Sequence, residues 1–160
     1  GQIAATGQID ESLLKKSKEF WFLTRDYPKS LGNDTVQKEL TNLFVQFQAS
    51  VENKLCSAVE HIAGSIAQSI DNIVKNEKLN KSKYRILVTG GGAFNGYLME
   101  RLEAICKNIE IIIPDKETIN FKEAILMALM GYLRWHELPN CFSSATGAKK
   151  NTIGGALFIP

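Results

Sequence analysis

This sequence lacks an excess of either charge and lacks a long apolar run. Its 19 Lys and Arg residues nearly balance its 17 Asp and Glu residues, so the formal net charge is +2. Proteins that bind nucleic acids or membrane surfaces usually carry a clear basic excess or a basic block. No run of about 18 apolar residues, enough for a membrane-spanning helix, occurs, and residues 1–7 lack the basic region and apolar core of a signal peptide. We therefore expect no nucleic acid and no membrane as a partner.

Cysteine and histidine are scarce as well. The three cysteines, Cys56, Cys106 and Cys141, lie far apart and form no CxxC pair, so they indicate neither a disulfide framework nor a metal site. Buried, reduced thiols are typical of a cytoplasmic protein. The two histidines, His61 and His136, have no Cys or His at ligand spacing, which argues against zinc. We therefore predict no metal site and a cytoplasmic location.

The remaining composition, 44% hydrophobic and 22% charged, is that of a globular domain. Residues 1–50 indicate a helical and loop lead-in, in which Asp10 is a candidate helix cap. Residues 51–160 begin with a long helix, because apolar residues recur there three or four positions apart as far as Ile73. Ser50 is the candidate cap of this long helix.

Strand and helix patterns alternate after the long helix. Residues 84–89 predict a buried strand and residues 109–113 a second, short apolar strand, and a helix follows each of them. This order indicates an α/β fold with a parallel-rich sheet flanked by helices. We predict a single domain over residues 1–160.

The last third of the chain gives three further predictions. Asn120, three residues before Glu123, resembles the start of a capping box for the last long helix. Residues 143–147 predict a loop. Residues 153–159 predict a final strand whose glycines mark a close approach of another group.

Three consecutive glycines stand between the first predicted strand and the helix after it. Gly90, Gly91 and Gly92 permit positive φ and expose N–H groups that no side chain obstructs. The helix that follows, with Asn95 near its start, adds the free N–H donors of a helix N-terminus. Nucleotides bind at the carboxyl ends of parallel strands in such crevices. The alternative without a ligand is a tight turn in which Asn95 is only a cap.

The residues alone leave two interpretations of this loop as a nucleotide site. A dinucleotide site fits Gly90 and Gly92, but its third glycine falls on Asn95. Asp115, 25 residues after Gly90, lies roughly where the acid that binds the ribose of NAD belongs. The other site is the adenosine loop of the actin-like sugar kinases, in which the helix after two or three glycines approaches the adenine and ribose, and this loop tolerates Asn95.

Five motifs in order resemble those of the anhydro-N-acetylmuramic acid kinase family. They are residues 28–32 (PKSLG), residues 88–95 (VTGGGAFN), the pair Glu123-Ala124, residues 139–148 with Pro-Asn and Ser-Ser-Ala-Thr-Gly-Ala, and residues 153–160. Together they cover nearly the whole chain. Asn33 stands where the family often has Arg, and Asn120 stands where it often has Asp.

The resemblance implies the actin-like ATPase (ribonuclease H-like) fold and, within it, the C-terminal half of a two-domain sugar kinase. The family uses ATP and water to open the 1,6-anhydro ring of anhydro-N-acetylmuramic acid and to phosphorylate O6 of the sugar, in cell-wall recycling. Its N-terminal half carries a phosphate loop of the Gly-Thr-Ser-x-Asp-Gly type and the catalytic Asp, and neither motif is present here. We therefore expect ATP, an anhydro amino sugar and the N-terminal domain as partners, with Mg²⁺ held mainly by that domain. The chain alone is expected to be inactive, and a homodimer is left open.

The resemblance also implies roles for individual residues. The nucleotide would lie against Gly90, Gly91, Gly92 and Asn95. Glu123 matches a family carboxylate that contacts the sugar, and no catalytic residue is assigned with certainty to this chain. The residues that could line the cleft are Lys29, Ser30, Asp115, Thr146 and Gly147, whose alternative is a role in local turns or a salt bridge. Two other functions stay open: a non-catalytic scaffold that keeps the fold, and a Rossmann-type NAD-binding domain.

Overall fold

The computed structural model describes residues 1–25, 30–80 and 83–158. The chain divides into two compact units, Gly1–Ile113 and Pro114–Pro160. The first unit combines a two-stranded parallel sheet with helices, which agrees with the predicted α/β class. The actin-like architecture, the single domain over residues 1–160 and the lead-in that ends at residue 50 stay predictions.

Most of the helices belong to the first unit. In chain order, that unit contains α1 (Gln2–Ala5), α2 (Glu11–Lys18), a 3₁₀ turn (Trp21–Leu23), α3 (Asn33–Thr35), a π-helical segment (Val36–Thr41), α4 (Asn42–Gln46), α5 (Val51–Asn76), β1 (Tyr84–Leu87), a second 3₁₀ turn (Gly91–Phe94), α6 (Gly96–Ile105) and β2 (Ile109–Ile112). The second unit contains α7 (Lys116–Trp135) and α8 (Ser143–Thr146). None of the helices in the described ranges is long and apolar enough to cross a membrane.

Helix α5 is the element on which the first unit is built. Ser50 caps it as predicted, because its Oγ accepts a hydrogen bond of 3.2 Å from the N–H of Asn53. The helices α1, α2 and α6 all pack against α5. The lead-in segment is therefore part of the same packed unit as the long helix.

The hydrophobic core of the first unit is formed mainly by α1, α5 and α6. Its buried members are Ala4, Val59, Ala63, Leu98, Met99 and Leu102. Leu98 and Leu102 both point from α6 into this core, and Leu102 is only 1% exposed. Ala63, fully buried, lets a neighbouring helix approach α5 closely because its side chain is small.

The two strands form a βαβ unit, with α6 as the crossover that parallel neighbours require. Tyr84 pairs with Ile109 and Leu87 with Ile112. The prediction that the first strand is buried is wrong, because its side chains alternate between half-buried and exposed, and Leu87 is 65% exposed. This pattern is typical of a strand that is covered on one face only.

In the second unit, the predicted cap at Asn120 is wrong. Helix α7 begins at Lys116, and its cap is Asp115, whose Oδ1 accepts from the N–H of Thr118 at 2.9 Å. The Thr118 hydroxyl donates to Oδ2 of the same carboxylate at 2.7 Å. Because this earlier cap already satisfies the helix start, Asn120 lies within the helix.

The chain after α7 also differs from the prediction. The predicted loop at 143–147 contains the short helix α8, which ends at Gly147 with a φ of 71°. The predicted final strand is absent from the described residues up to 158, where a single antiparallel bridge joins Cys141 and Thr152. The close approach expected at the glycines is present, since a Cβ on Gly154 would lie 2.7 Å from the sulfur of Cys141.

The amide side chain of Asn140 links the segment after α7 to the helix. Its Nδ2 donates to the carbonyls of Met130 and Gly154, and its Oδ1 accepts from the N–H of Gly154 at 2.6 Å. Asn140 is 8% exposed. Hydrogen bonds from one buried amide therefore replace the ladder that a strand would have provided.

Candidate functional site

The three glycines lie where β1 ends, at the carboxyl edge of the parallel pair. The N–H of Val88 still donates to the carbonyl of Ile112 at 2.9 Å, after which the chain leaves the sheet. Gly90 has a φ of 83° and a ψ of −179°, a conformation that is essentially restricted to glycine. The sharp exit from the sheet therefore requires glycine at this position.

Gly91 and Gly92 are glycines for a different reason. Both are exposed, and a Cβ built on either one meets no atom within 4 Å. They belong to a 3₁₀ turn in which the N–H of Ala93 donates to the carbonyl of Gly90 at 3.0 Å. Since the fold leaves this space open, their backbone is accessible to an approaching ligand.

Asn95 begins the helix after the glycines, as predicted. Its Oδ1 accepts from the N–H of Leu98 at 3.2 Å, so it is the cap of α6. The side-chain amide Nδ2 makes no hydrogen bond within the described part of the chain. Asn95 also lines a cavity of about 830 Å³ together with Tyr97, Glu100 and residues of α1 and α5.

Thr89, which the sequence analysis did not single out, has an unsatisfied hydroxyl next to this loop. Its Oγ1 is buried and has no hydrogen-bond partner among the described residues. A buried polar atom of this kind usually has a partner. In the sequence, only its position just before the glycines could have indicated that Thr89 belongs to the candidate site.

The helix that borders the loop is held firmly on α5. Arg101 donates to Glu60 through Nε at 2.8 Å and through Nη2 at 3.3 Å, and this contact raises the pKa of Arg101. The sulfur of Cys56 lies 3.3 Å from the hydroxyl of Tyr97. This hydrogen bond, together with burial, raises the pKa of Tyr97 to about 12, so the phenol stays neutral.

The other candidate residues are distributed as follows. Glu123 is exposed within α7, several residues after the start of that helix, so it is not a carboxylate of the helix N-terminus. Ser30 is exposed in a non-helical segment. Lys29 lies outside the described residues.

Three candidates of the second unit have local partners. Hydrogen bonds from the hydroxyl and the N–H of Thr118 hold the pKa of Asp115 below its ordinary value. The Thr146 hydroxyl donates to the carbonyl of Phe142, and Gly147 ends α8. These contacts give Asp115, Thr146 and Gly147 structural roles at the ends of helices. Over residues 1–25, 30–80 and 83–158, no group of three or more His, Cys, Asp or Glu could hold a metal ion.

Comparison with known proteins gives one consistent result. The family model described as anhydro-N-acetylmuramic acid kinase matches residues 1–160. Proteins named anhydro-N-acetylmuramic acid kinase from Microcystis aeruginosa, Synechococcus elongatus and Aliivibrio fischeri are 33%, 32% and 31% identical to this chain. Each match covers 99% of this chain and 42% of the relative. The chain thus spans about two fifths of the length of these curated relatives.

Proposed function

Because the chain belongs to the anhydro-N-acetylmuramic acid kinase family, we propose that it is the nucleotide-binding part of such a kinase. In this proposal the backbone at Gly90, Gly91 and Gly92 lies against the adenosine of ATP. Asn95, at the start of α6, directs its free Nδ2 donor to the same ligand. The proposal rests on the geometry of the loop and on the membership of the family.

The observation that carries the proposal is the open space at Gly91 and Gly92. A plain strand-to-helix turn requires glycine only at Gly90, where φ is positive. Packing within the described residues gives no reason for glycine at the next two positions, because a Cβ there would meet no atom. A ligand that must approach the backbone closely does give such a reason. The position at the carboxyl edge of parallel strands, where ligands bind in α/β folds, supports the same reading.

The complete reaction requires more than this chain. Phosphoryl transfer needs the phosphates, Mg²⁺ and the nucleophile to be held together. We place the chain in the C-terminal half of the family's kinases, with the phosphate loop, the catalytic Asp and most Mg²⁺ ligands on the N-terminal domain. The whole kinase would use ATP and water to open the anhydro ring and phosphorylate O6 of the sugar, in the cytoplasm. We expect this chain alone to be inactive.

The contact with the sugar is proposed for Glu123. It is exposed on α7 and makes no hydrogen bond or ion pair within the described residues, so its carboxylate is available to a ligand hydroxyl. Lys29 and Ser30 stay candidates for the edge of the cleft. Asp115 and Thr146 are weaker candidates, because local hydrogen bonds at the ends of α7 and α8 already account for their side chains.

The local hydrogen bonds of Asp115 and Asn95 weaken the alternative of a dinucleotide site. A ribose would need the carboxylate of Asp115, but in this structure that carboxylate is the N-cap of α7 and is oriented by two hydrogen bonds from Thr118. The third glycine of that motif would fall on Asn95, which is the cap of α6. A scaffold without ligand would keep the packing of the loop and bind no nucleotide.

Titration calorimetry of this chain with ATP–Mg²⁺ tests the proposal, with NAD⁺ as the control ligand. We expect weak binding of ATP, because only part of the cleft is present. Gly91→Val should weaken that binding by at least about tenfold, equivalent to about 1.4 kcal/mol. It should leave the fold intact, because φ at Gly91 is ordinary and the Cβ has space.

The matched control is Gly131→Val on α7, where a Cβ also meets no atom within 4 Å. It should leave ATP binding unchanged. Binding of NAD⁺ without ATP would overturn the proposal in favour of the dinucleotide site. ATP binding that is equal in Gly91→Val and in the parent chain would show that the loop is not the site.

A further inference from the structure

The first turn of α6, which follows the glycine loop directly, is tied to α5 by one side-chain hydrogen bond. The hydroxyl of Tyr97 lies 3.3 Å from the sulfur of Cys56. Within the described ranges, no other side-chain hydrogen bond joins this turn to another element. We call the pair of Cys56 and Tyr97 the α5–α6 tether.

The glycine loop has few fixed points of its own. On its strand side, the N–H of Val88 makes the last hydrogen bond to the neighbouring strand. In the described chain, the backbone hydrogen bonds of Gly91 and Gly92 stay within residues 90–95. A Cβ on either glycine would meet no atom within 4 Å, so packing does not hold them either. The position of the loop on its helix side is therefore set by the first turn of α6.

Local hydrogen bonds connect that turn to the loop. The N–H of Asn95 donates to the carbonyl of Gly92 at 3.0 Å, and the N–H of Met99 donates to the carbonyl of Asn95 at 3.1 Å. The Oδ1 of Asn95 is held by the N–H of Leu98, so the direction of the free Nδ2 donor depends on the orientation of the helix start. Tyr97 is two residues after Asn95, about 3 Å along the helix axis. The tether therefore acts where the loop is attached.

Cys56 is a firm anchor for the tether. Its side chain is only 2% exposed within α5. The next residue, Ser57, accepts a hydrogen bond of 2.8 Å from the N–H of Asp10 at the start of α2. Because α5 is packed and bonded at this level, the sulfur is a fixed point toward which the Tyr97 hydroxyl is directed.

The ring of Tyr97 and its hydroxyl have separate roles. The ring packs against the core cluster to which its neighbours Leu98 and Met99 belong. This apolar packing holds α6 on α5 without any need for the hydroxyl. Apolar burial is non-directional, whereas a hydrogen bond restrains a distance and an angle. Removal of the hydroxyl alone should therefore keep the fold and loosen the first turn of α6.

We propose that Tyr97 is a positioning residue of the nucleotide site. Through its bond to Cys56 it fixes the start of α6, and with it the glycine loop and the Nδ2 donor of Asn95, in the orientation that binds the nucleotide. The ligand in this inference rests on the proposed function, but the tether acts on the loop whether or not a nucleotide is bound.

Arg101 supplies the matched control, because it also joins α6 to α5 but lies one turn further along the helix. Its two bonds to Glu60 form an ion pair whose side chains are 30% and 17% exposed. Hydrogen bonds between charged groups contribute more to stability than a single neutral one. If these links served stability alone, the loss of Arg101 would weaken nucleotide binding more than the loss of the Tyr97 hydroxyl. The proposal predicts the opposite order.

The test titrates ATP–Mg²⁺ into the ¹⁵N-labelled chain and its variants up to about 10 mM, a concentration that mostly fills a millimolar site. Tyr97→Phe should weaken binding about threefold to tenfold, the range for one neutral hydrogen bond. Cys56→Ala should do the same, whereas Cys56→Ser keeps a partner for the hydroxyl and should bind within about twofold of the parent chain. Arg101→Met should lower the midpoint of urea unfolding more than Tyr97→Phe does, yet change binding by less than about twofold. Far-UV circular dichroism checks that each variant is folded.

Amide hydrogen exchange without nucleotide tests the tether independently. Tyr97→Phe should speed exchange at the N–H groups of Asn95 and Leu98 about threefold to tenfold, because the first turn opens locally more often. The N–H of Cys106 donates to the carbonyl of Leu102 at the other end of α6, and it should keep the parent rate.

Each unfavourable result has a defined meaning. Binding by Tyr97→Phe that equals that of the parent chain, or binding by Cys56→Ser no better than that by Cys56→Ala, would overturn the proposal. Losses that simply add in the Cys56→Ala/Tyr97→Phe double variant would overturn it too, because two partners in one bond are not independent. If the parent chain binds no ATP, the proposed function fails, and unchanged exchange at Asn95 and Leu98 in Tyr97→Phe would separately show that the tether does not fix the loop.

Discussion

Acidification below about pH 6.5 should destabilise the first unit through His61. This side chain is 5% exposed, and its Nδ1 lies 2.9 Å from the hydroxyl of Ser17. Ser17 already donates its proton to the carbonyl of Leu14 at 2.8 Å. Nδ1 must therefore carry a proton and donate, which leaves Nε2 as the unprotonated nitrogen of a neutral ring.

The sign of the pH effect follows from the pKa. Burial, and then the charge of Lys18, lower the pKa of His61 from its usual 6.5. As the pH falls, the unfolded chain takes up the proton first, so folding loses stability between 6.5 and the lower pKa of the folded state. The slope there is at most about 1.4 kcal/mol per pH unit. Above this window His61 contributes no pH dependence.

Urea unfolding followed by tryptophan fluorescence measures the effect. Trp21 lies in the first unit and Trp135 in the second, so a Trp135→Phe background reports on the first unit alone. We expect the free energy of unfolding to fall as the pH is lowered below about 6.5. His61→Gln should flatten this dependence, whereas His136→Gln, at an exposed site after α7, should not. An unchanged slope in His61→Gln, or a parent chain that gains stability on acidification, would refute the reasoning.

Three further substitutions have defined consequences. Leu102→Ala should cost about 2–5 kcal/mol of stability in urea unfolding, and a loss below about 1 kcal/mol would contradict its place in the core. Asn140→Ala removes its bonds to Met130 and Gly154 and should cost about 1–3 kcal/mol, measured by thermal melting at Trp135; an unchanged melting curve would contradict the link. Asn95→Ala should cost about 1 kcal/mol as a lost cap and weaken ATP binding in calorimetry, and full binding would leave Asn95 only as a cap.

The sequence was sufficient to predict features that depend only on residues close by in the chain, such as helix caps. Asp10, Ser50 and Asn95 are helix caps as predicted, because each accepts from an N–H three residues later. The cap at Asn120 failed because Asp115 competes for the same helix. Asp115 accepts from the hydroxyl of Thr118 as well as its N–H.

Burial and pairing depend on residues far away in the chain, so the sequence did not predict them in the same way. Periodicity predicted α5 well, but Val51 at its start is 61% exposed while Ala63 is fully buried. The packing of other helices decides which face is covered, and one sequence does not show it. The final apolar segment resembled a strand by composition, yet Asn140 supplies the hydrogen bonds that would have come from a neighbouring strand.

The candidate site was predicted in part. The sequence located the glycine loop and the cap at Asn95, because strand, glycines and helix follow one another directly. It did not distinguish the positive φ of Gly90 from the open space at Gly91 and Gly92. The buried hydroxyl of Thr89 depends on what surrounds it in three dimensions, which no local pattern shows.

The most direct test of the central claim is an NMR titration of the ¹⁵N-labelled chain with ATP–Mg²⁺, read at the backbone amides. The account predicts that the signals of Gly90, Gly91, Gly92 and Asn95 shift together with a single dissociation constant. The signal of Glu11, in α2 of the same unit and outside the proposed site, should stay unchanged. ATP-dependent shifts that leave out the glycine loop, or a loop unaffected at millimolar ATP, would contradict it.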